Sequence, residues 1–257
     1  RNFTNNKNFL VKYICDKDLK TLSNIPVNKN LTSKITDYKK ILKDESIKAV
    51  VIATPVRTHY TIAKECLRSG MHIFVEKPLA DSSKKCQELI KIAKNNSLKI
   101  FVDHTFLYTS AVNKIKEIMN KQNFGDLLYY DSTRINLGLI QEDINVMWDL
   151  GVHDLSILNF IQRKKPKLIS AVGHKHFKSK PATSAYMTLL YENNFVAHIN
   201  VNWLSPVKIR QTILGGTKKM ILYNDLEPSD KIKIFNKGVN VIKKENSPSN
   251  LIEYRVG

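Results

Sequence analysis

The sequence predicts an α/β chain in two parts: a doubly wound parallel sheet, then a larger, mostly antiparallel sheet with helices. Up to Gly125, short apolar runs alternate with helical patterns, as in successive βαβ units. After Gly125 the apolar runs follow one another with only short turns between most of them. No window approaches 18 consecutive apolar residues, so no membrane-spanning helix is expected.

Taken in order, Phe9–Cys15 reads as a strand, followed by a short helix from about Lys17. Ala49–Ala53 is a second strand, and its lack of any charge predicts burial on both faces. Thr58–Ser69 is helical, with Ile62, Ala63, Cys66 and Leu67 on one face and Gly70 as its stop. Met71–Val75 is the third strand. Asp81 or Ser82 caps the next helix, whose Cys86, Leu89, Ile90 and Ala93 form an apolar stripe. Leu98–Val102 is the fourth strand, and Val112, Ile115, Ile118 and Met119 mark another helix. Beyond Gly125, strands are predicted at Leu127–Asn136, Leu168–Phe177, Ala185–Tyr191, Phe195–Trp203, Ile209–Leu214, Met220–Tyr223 and Ile232–Phe235. A helix over about Asn145–Gln162 interrupts them. The boundary falls near residues 105–125, giving domains 1–110 and 111–257.

The 257 residues are 42% hydrophobic and 25% charged, a globular balance, with a net charge of +18. That charge does not point to nucleic acid. Of the basic residues 34 are Lys and only 7 Arg, and Lys, Asn and Ile together number 85, as AT-rich codons would give. Lys lacks the planar fork that grips guanine or phosphate, and the basic residues form no tail or stripe. A positive field would still concentrate a small anionic substrate. Cys15, Cys66 and Cys86 are scattered and odd in number, which argues against a disulfide framework or metal site and for a reducing cytoplasm.

The strands of the first part end in polar or special residues, where a doubly wound sheet places its ligand. Asp16 ends the first; it is either a turn acid or an acceptor for ribose hydroxyls that would favour NAD over NADP. Thr54 and Pro55 end the second, with His59 in the following helix, either near a cofactor or capping its helix. Glu76, Lys77 and Pro78 end the third. His104, Thr105 and Tyr108 follow the fourth and could line a nicotinamide or substrate pocket. Oxidising a secondary alcohol needs a proton acceptor near the reacting oxygen. A desolvated Lys77 would serve as one, and its charge would steady a developing alkoxide. A cis bond before Pro78 would turn Lys77 inward. In the helix predicted over about Asn145–Gln162, Asp149 and His153 are four apart and so share a face, forming either a local pair or a catalytic one. Gly151 between them, costing a helix about 1 kcal/mol, would leave room for a ligand. Arg134 and Asn136 could grip an anionic or hydroxylated substrate, or Arg134 could be a surface charge.

Ala49-Val-Val-Ile-Ala-Thr-Pro-x-x-x-His59, Gly70-x-His-Ile-Phe-Val-Glu-Lys-Pro-Leu79 and Trp148-Asp-x-Gly-x-His-Asp154, in this order, resemble the Gfo/Idh/MocA family of glucose–fructose oxidoreductase and inositol dehydrogenase. The resemblance covers nearly the whole chain. Thr133-Arg-x-Asn-x-Gly138 is similar to members acting on nucleotide-linked sugars. It implies a Rossmann domain joined to an α/β substrate domain, a site in the cleft between them, and an NAD-dependent dehydrogenase of a sugar, sugar nucleotide or polyol. It implies Lys77, Asp149 and His153 as the catalytic set, with His153 an alternative or co-acting acid/base and Asp149 positioning substrate and modulating Lys77. The cis bond before Pro78 and a homodimer or homotetramer built on the second sheet are implied too. An Arg common near Leu107–Tyr108 in the family is missing here, which removes that substrate contact. The family's opening strand and Gly-x-Gly-x-x-Gly turn are not found either. Arg1-Asn2-Phe3 reads as the helix after that turn, Gly257 precedes an expected final helix, and a full protein of about 310–350 residues is expected. The missing strand would lie between Phe9–Cys15 and Ala49–Ala53. The alternative function is a non-catalytic binding or regulatory relative.

Overall fold

The structure, a computed structural model, describes residues 2–28, 30–121, 123–178, 180–242 and 251–256. The chain divides into two compact units, Arg1–Asp103 and His104–Gly257. The division precedes the sequence-based boundary because Phe106 and Leu107 already pack with Ala111 and Val112 in the second unit's core.

In the first unit, β1 (Tyr13–Cys15) leads through α1 (Leu19–Asn24) to β2 (Ser33–Ile35), a short strand that the sequence does not signal. The Asp18 carboxylate caps α1 by accepting the Lys20 and Thr21 N–H groups. Next come β3 (Ala49–Ile52), α2 (Val56–Arg68), β4 (His72–Val75), α3 (Ser83–Asn95) and β5 (Ile100–Val102). Helix α2 ends where Gly70 takes φ +79°, a conformation that costs glycine little. Ser82 caps α3.

All the strand pairs of this unit are parallel, but they form two sheets, β1-β2 and β3-β4-β5. Among the described residues β1 and β3 each carry one partner. Parallel runs of this kind, with helices in the connections, are those of a doubly wound sheet. Asn2 and Phe3, expected as helix with Arg1, lie in turns over residues 2–5 instead, with the Asn6 N–H bonded to the Phe3 carbonyl. Arg1 and Gly257 lie outside the described residues.

The chain moves in one direction from β3 to β5, so right-handed crossovers put α2 and α3 on the same face. Ile52, Ile73 and Val75 pack there against Ala63, Cys66, Leu67, Leu89 and Ala93. On the opposite face Val51 is 47% exposed in the described chain. On that face the Phe74 and Phe101 rings stack at 4.8 Å, and Phe3 meets Phe74 edge-on at 5.6 Å.

The second unit begins with a 3-10 turn at Thr105–Tyr108 and α4 (Ser110–Met119), capped by Thr109. Strand β6 (Leu127–Leu137) is followed by a π-helical turn at Met147–Gly151 that runs into α5 (Val152–Gln162). Strands β7 (Leu168–His174), β8 (Ser184–Leu190), β9 (Val196–Asn202), β10 (Leu204–Gly216), β11 (Met220–Asn224) and β12 (Ile232–Phe235) complete a seven-stranded sheet. Its order is β12-β11-β10-β6-β9-β8-β7, antiparallel except where β6 meets β9. β13 (Gly238–Ile242) and β14 (Leu251–Arg255) pair separately. One sheet face is covered by α4 and α5 through Val112, Ile115, Ile157 and Leu158, which meet Tyr130, Ile199, Val201, Leu214 and Tyr223. The other face carries Leu168, Val172, Tyr186 and Leu190, all exposed.

Candidate active site

Parallel register gathers the predicted strand-end residues of the first unit. Ile52, Val75 and Val102 lie side by side at the ends of their strands. Thr54-Pro55, Glu76-Lys77-Pro78 and His104 therefore leave β3, β4 and β5 at one sheet edge. The Glu76 N–H bonds the Ile52 carbonyl and the Asp103 N–H bonds the Val75 carbonyl, which continues the ladder past the strands. The Lys77–Pro78 bond is cis, as expected. Asp16, half-buried after β1, accepts the Asp18 N–H at 2.9 Å, and its own N–H bonds the Ile35 carbonyl. Thr54 and Thr58 share a hydroxyl contact of 2.6 Å above the Pro55 carbonyl.

His59 is placed differently from the cofactor contact expected of it. It is 1% exposed, with Nδ1 2.8 Å from the Pro78 carbonyl oxygen and Nε2 2.7 Å from that of Thr54. The ring ties the turn after β3 to the loop after β4, and burial keeps it from a ligand. His59 thus supports two of the strand-end groups from below. The remaining polar groups lie at the strand ends where a doubly wound sheet binds its ligand.

In the second unit, Asp149 lies in the π-helical turn, not in the regular helix that the sequence predicts. The Val152 N–H reaches the Met147 carbonyl, five residues back. The wider turn departs from the 3.6-residue period, but four residues still make about one turn, so Asp149 and His153 stay on one side of the helix. Their surroundings differ. The Asp149 carboxylate accepts the indole N–H of buried Trp203 at 3.2 Å. The His153 ring meets Phe106 edge-on, with centroids 5.0 Å apart. Gly151 does not leave room for a ligand: a Cβ there would stand 2.2 Å from the Met147 sulfur.

Arg134 is a second correction. The residue is 4% exposed, and its Nε donates to Asp154 Oδ2 at 2.7 Å while a terminal nitrogen donates to Oδ1 at 3.2 Å. Ser132 donates to the same carboxylate at 2.7 Å, and Tyr130 donates to the Asp154 carbonyl. Burial works to lower the Arg134 pKa, but the Asp154 carboxylate outweighs it and raises the guanidinium above its ordinary value. Burial, then Asp154, pushes the Tyr130 phenol up. A guanidinium engaged in this way braces the interior instead of gripping a substrate. Asn136 folds over Gly138, and Tyr108 is 66% exposed in its 3-10 turn. Among the described residues, no three or more His, Cys, Asp or Glu side chains gather to hold a metal ion.

The model of an oxidoreductase family with an NAD-binding Rossmann fold matches residues 1–104, and that of the GFO/IDH/MocA C-terminal domain matches residues 112–222. The chain belongs to the Gfo/Idh/MocA family. UDP-N-acetylglucosamine 3-dehydrogenase of Acidithiobacillus ferrooxidans is 28% identical over 60% of this chain and 48% of its own length. Trans-1,2-dihydrobenzene-1,2-diol dehydrogenase of Xenopus tropicalis is 21% identical over 81% of this chain and 65% of its own. An uncharacterized oxidoreductase of Streptococcus pneumoniae is 24% identical, with the match covering 52% of this chain and 39% of the relative. The matches thus span about half the length of such relatives. Among solved structures, GenD2 of gentamicin A biosynthesis in complex with NAD has a TM-score of 0.80 at 16% identity, covering 89% of this chain and 68% of that one. The A. ferrooxidans dehydrogenase has a TM-score of 0.74 at 21% identity, covering 88% and 72%. At these identities the likeness shows the fold.

Within this Gfo/Idh/MocA chain, Phe106 and Trp203 escape the sequence reading because an aromatic residue in an apolar run looks like any core residue. Asp154 gave a signal, an acid on a helix that buries itself, but its partners come from a strand 20 residues away.

Proposed function

We propose that this protein is an NAD(H)-dependent dehydrogenase that moves hydride between nicotinamide and a secondary alcohol carbon of a sugar, sugar nucleotide or polyol. The observation that carries the reading is the strand register, which brings Thr54, Pro55, Glu76, Lys77, Pro78 and His104 to one edge of a parallel sheet. The A. ferrooxidans relative, named for a nucleotide-linked sugar, supports that substrate class. Bound nicotinamide supplies the two-electron acceptor or donor. Lys77 takes the hydroxyl proton and its charge steadies the alkoxide. His153 is the alternative or co-acting acid/base, and Asp149 orients the substrate. Asp16 accepts ribose hydroxyls and disfavours the extra phosphate of NADP. Tyr108 and Asn136 contact substrate. Arg134 enters only as an internal brace. The three free thiols suit the cytoplasm, and the apolar outer face of the second sheet suits a homodimer or homotetramer.

The test is Lys77→Met, which keeps most of the side chain's length and removes its proton chemistry. With a panel of UDP-sugars and polyols, turnover followed by absorbance of reduced cofactor should fall about a hundredfold or more. NADH affinity should change far less. Wild-type turnover by Lys77→Met would remove Lys77 from the chemistry.

A further inference from the structure

The second unit buries an arginine and an aspartate together, at 4% and 1% exposure, although well-packed apolar residues would serve stability as well or better. A purpose other than net stability is therefore sought in what the pair touches. The Arg134 guanidinium carbon lies 4.6 Å from the centroid of the Phe106 ring, and the Phe106 ring meets the His153 imidazole at 5.0 Å with planes 71° apart. Asp154, which holds Arg134, directly follows His153 in α5. The contacts close a circuit: His153 to Phe106, Phe106 to Arg134, Arg134 to Asp154, and Asp154 back to His153 through the main chain. Ser132 on β6 completes the carboxylate's bonding.

We infer that Phe106, backed by the Arg134–Asp154 pair, is a positioning residue that fixes the orientation of the His153 ring. The chemistry favours this kind of brace. A hydrogen-bonding partner would occupy one imidazole nitrogen, whereas an aromatic contact uses neither. The guanidinium contributes a flat, charged surface on which the Phe106 ring rests, an arrangement that Lys cannot reproduce. The pair also pins the turn of α5 that carries His153, so main chain and ring are held from two sides. Small misplacements of a reacting group cost large rate factors, so such a brace has catalytic weight. That weight rests on the dehydrogenase reading above; the brace itself does not.

The test uses the whole protein with isotope-labelled histidine, the His153 ring signals being assigned by their loss in His153→Asn. Phe106→Leu removes the ring current and should move those signals. Phe106→Tyr should leave them nearly in place. Phe106→Met repeats the first test if the Leu variant folds poorly. On the substrate that wild type turns over, kcat should fall about tenfold in Phe106→Leu and recover in Phe106→Tyr, with the NADH Kd unchanged. Unmoved His153 signals in the ringless variants overturn the brace whatever turnover does. Moved signals with wild-type kcat overturn its catalytic role. A wild type that turns over nothing on the panel, while its His153 signals respond to the substitution, keeps the brace and counts against the dehydrogenase reading alone.

Discussion

At the scale of single residues, burial decides what a polar side chain is for. His59 has its two ring nitrogens within 2.8 Å of main-chain oxygens, so His59→Leu should leave at least one buried carbonyl short of its donor. A loss of about 1–3 kcal/mol is expected in urea denaturation, the cost of one buried group left unpaired. Arg134→Met should cost roughly 3–5 kcal/mol in the same measurement, because Asp154 would remain buried without its cation. A near-neutral Arg134→Met would mean that the Asp154 environment takes up the charge by other means. Asp16 stands apart: in the described contacts its carboxylate accepts only the nearby Asp18 N–H, while its main-chain N–H bonds Ile35 and would survive substitution. Asp16→Ala should narrow the preference for NADH over NADPH in a fluorescence titration with little change in stability. Tighter wild-type binding of NADPH would reverse the assignment and turn attention to Lys17 and Lys20.

At the scale of elements, the π-helical turn and the start of the first sheet each rest on local contacts. Gly151→Ala should force the flexible Met147 side chain aside, and after the gain of about 1 kcal/mol in helix propensity the turn should lose about 0–2 kcal/mol. Met147→Ala in the same chain should recover part of that loss, because the two sites share one space. Additive losses would place the strain elsewhere. In the first unit, Asp44 ties β1 to the loop before β3: Lys12 reaches its carboxylate at 2.6 Å and Tyr13 donates to it at 2.9 Å. Lys12, Ser46 and Tyr13 hold the Asp44 carboxyl well below the usual carboxylate range. A carboxyl depressed in the folded state adds stability that is present above the unfolded value of about 4 and is lost as pH falls below it. Wild type should therefore be more stable than Asp44→Asn at pH 7, with the difference shrinking below about pH 4. Melting curves across that range check it, and a gap that widens in acid would contradict the assignment.

At the scale of the whole molecule, the proposed assembly puts Tyr186 and Leu190 of the outer sheet face at a subunit contact, so Tyr186→Glu with Leu190→Glu should yield monomers by light scattering without lowering the melting temperature of each chain. Wild type that is already monomeric would end that proposal. Sequence by itself determined the order and type of nearly every element here, because hydrophobic period and turn residues act within a few neighbours; Ala49–Ile52, His72–Val75 and Ile232–Phe235 fall where their apolar runs predict. It also determined the family, through motifs such as Glu76-Lys77-Pro78 that are contiguous in the chain. Short Ser33–Ile35 escaped because three residues carry no period, and Gly238–Ile242 with Leu251–Arg255 because their pairing spans the segment between them. Which face α2 and α3 cover was decided by crossover direction, a property of the sheet and not of Ala49–Ile52 itself. The fates of His59 and Arg134 were decided the same way. A side chain's type limits which bonds it can make, but only packing brings the Pro78 carbonyl to one ring and the Asp154 carboxylate to one guanidinium, and that proximity fixes which bonds it does make.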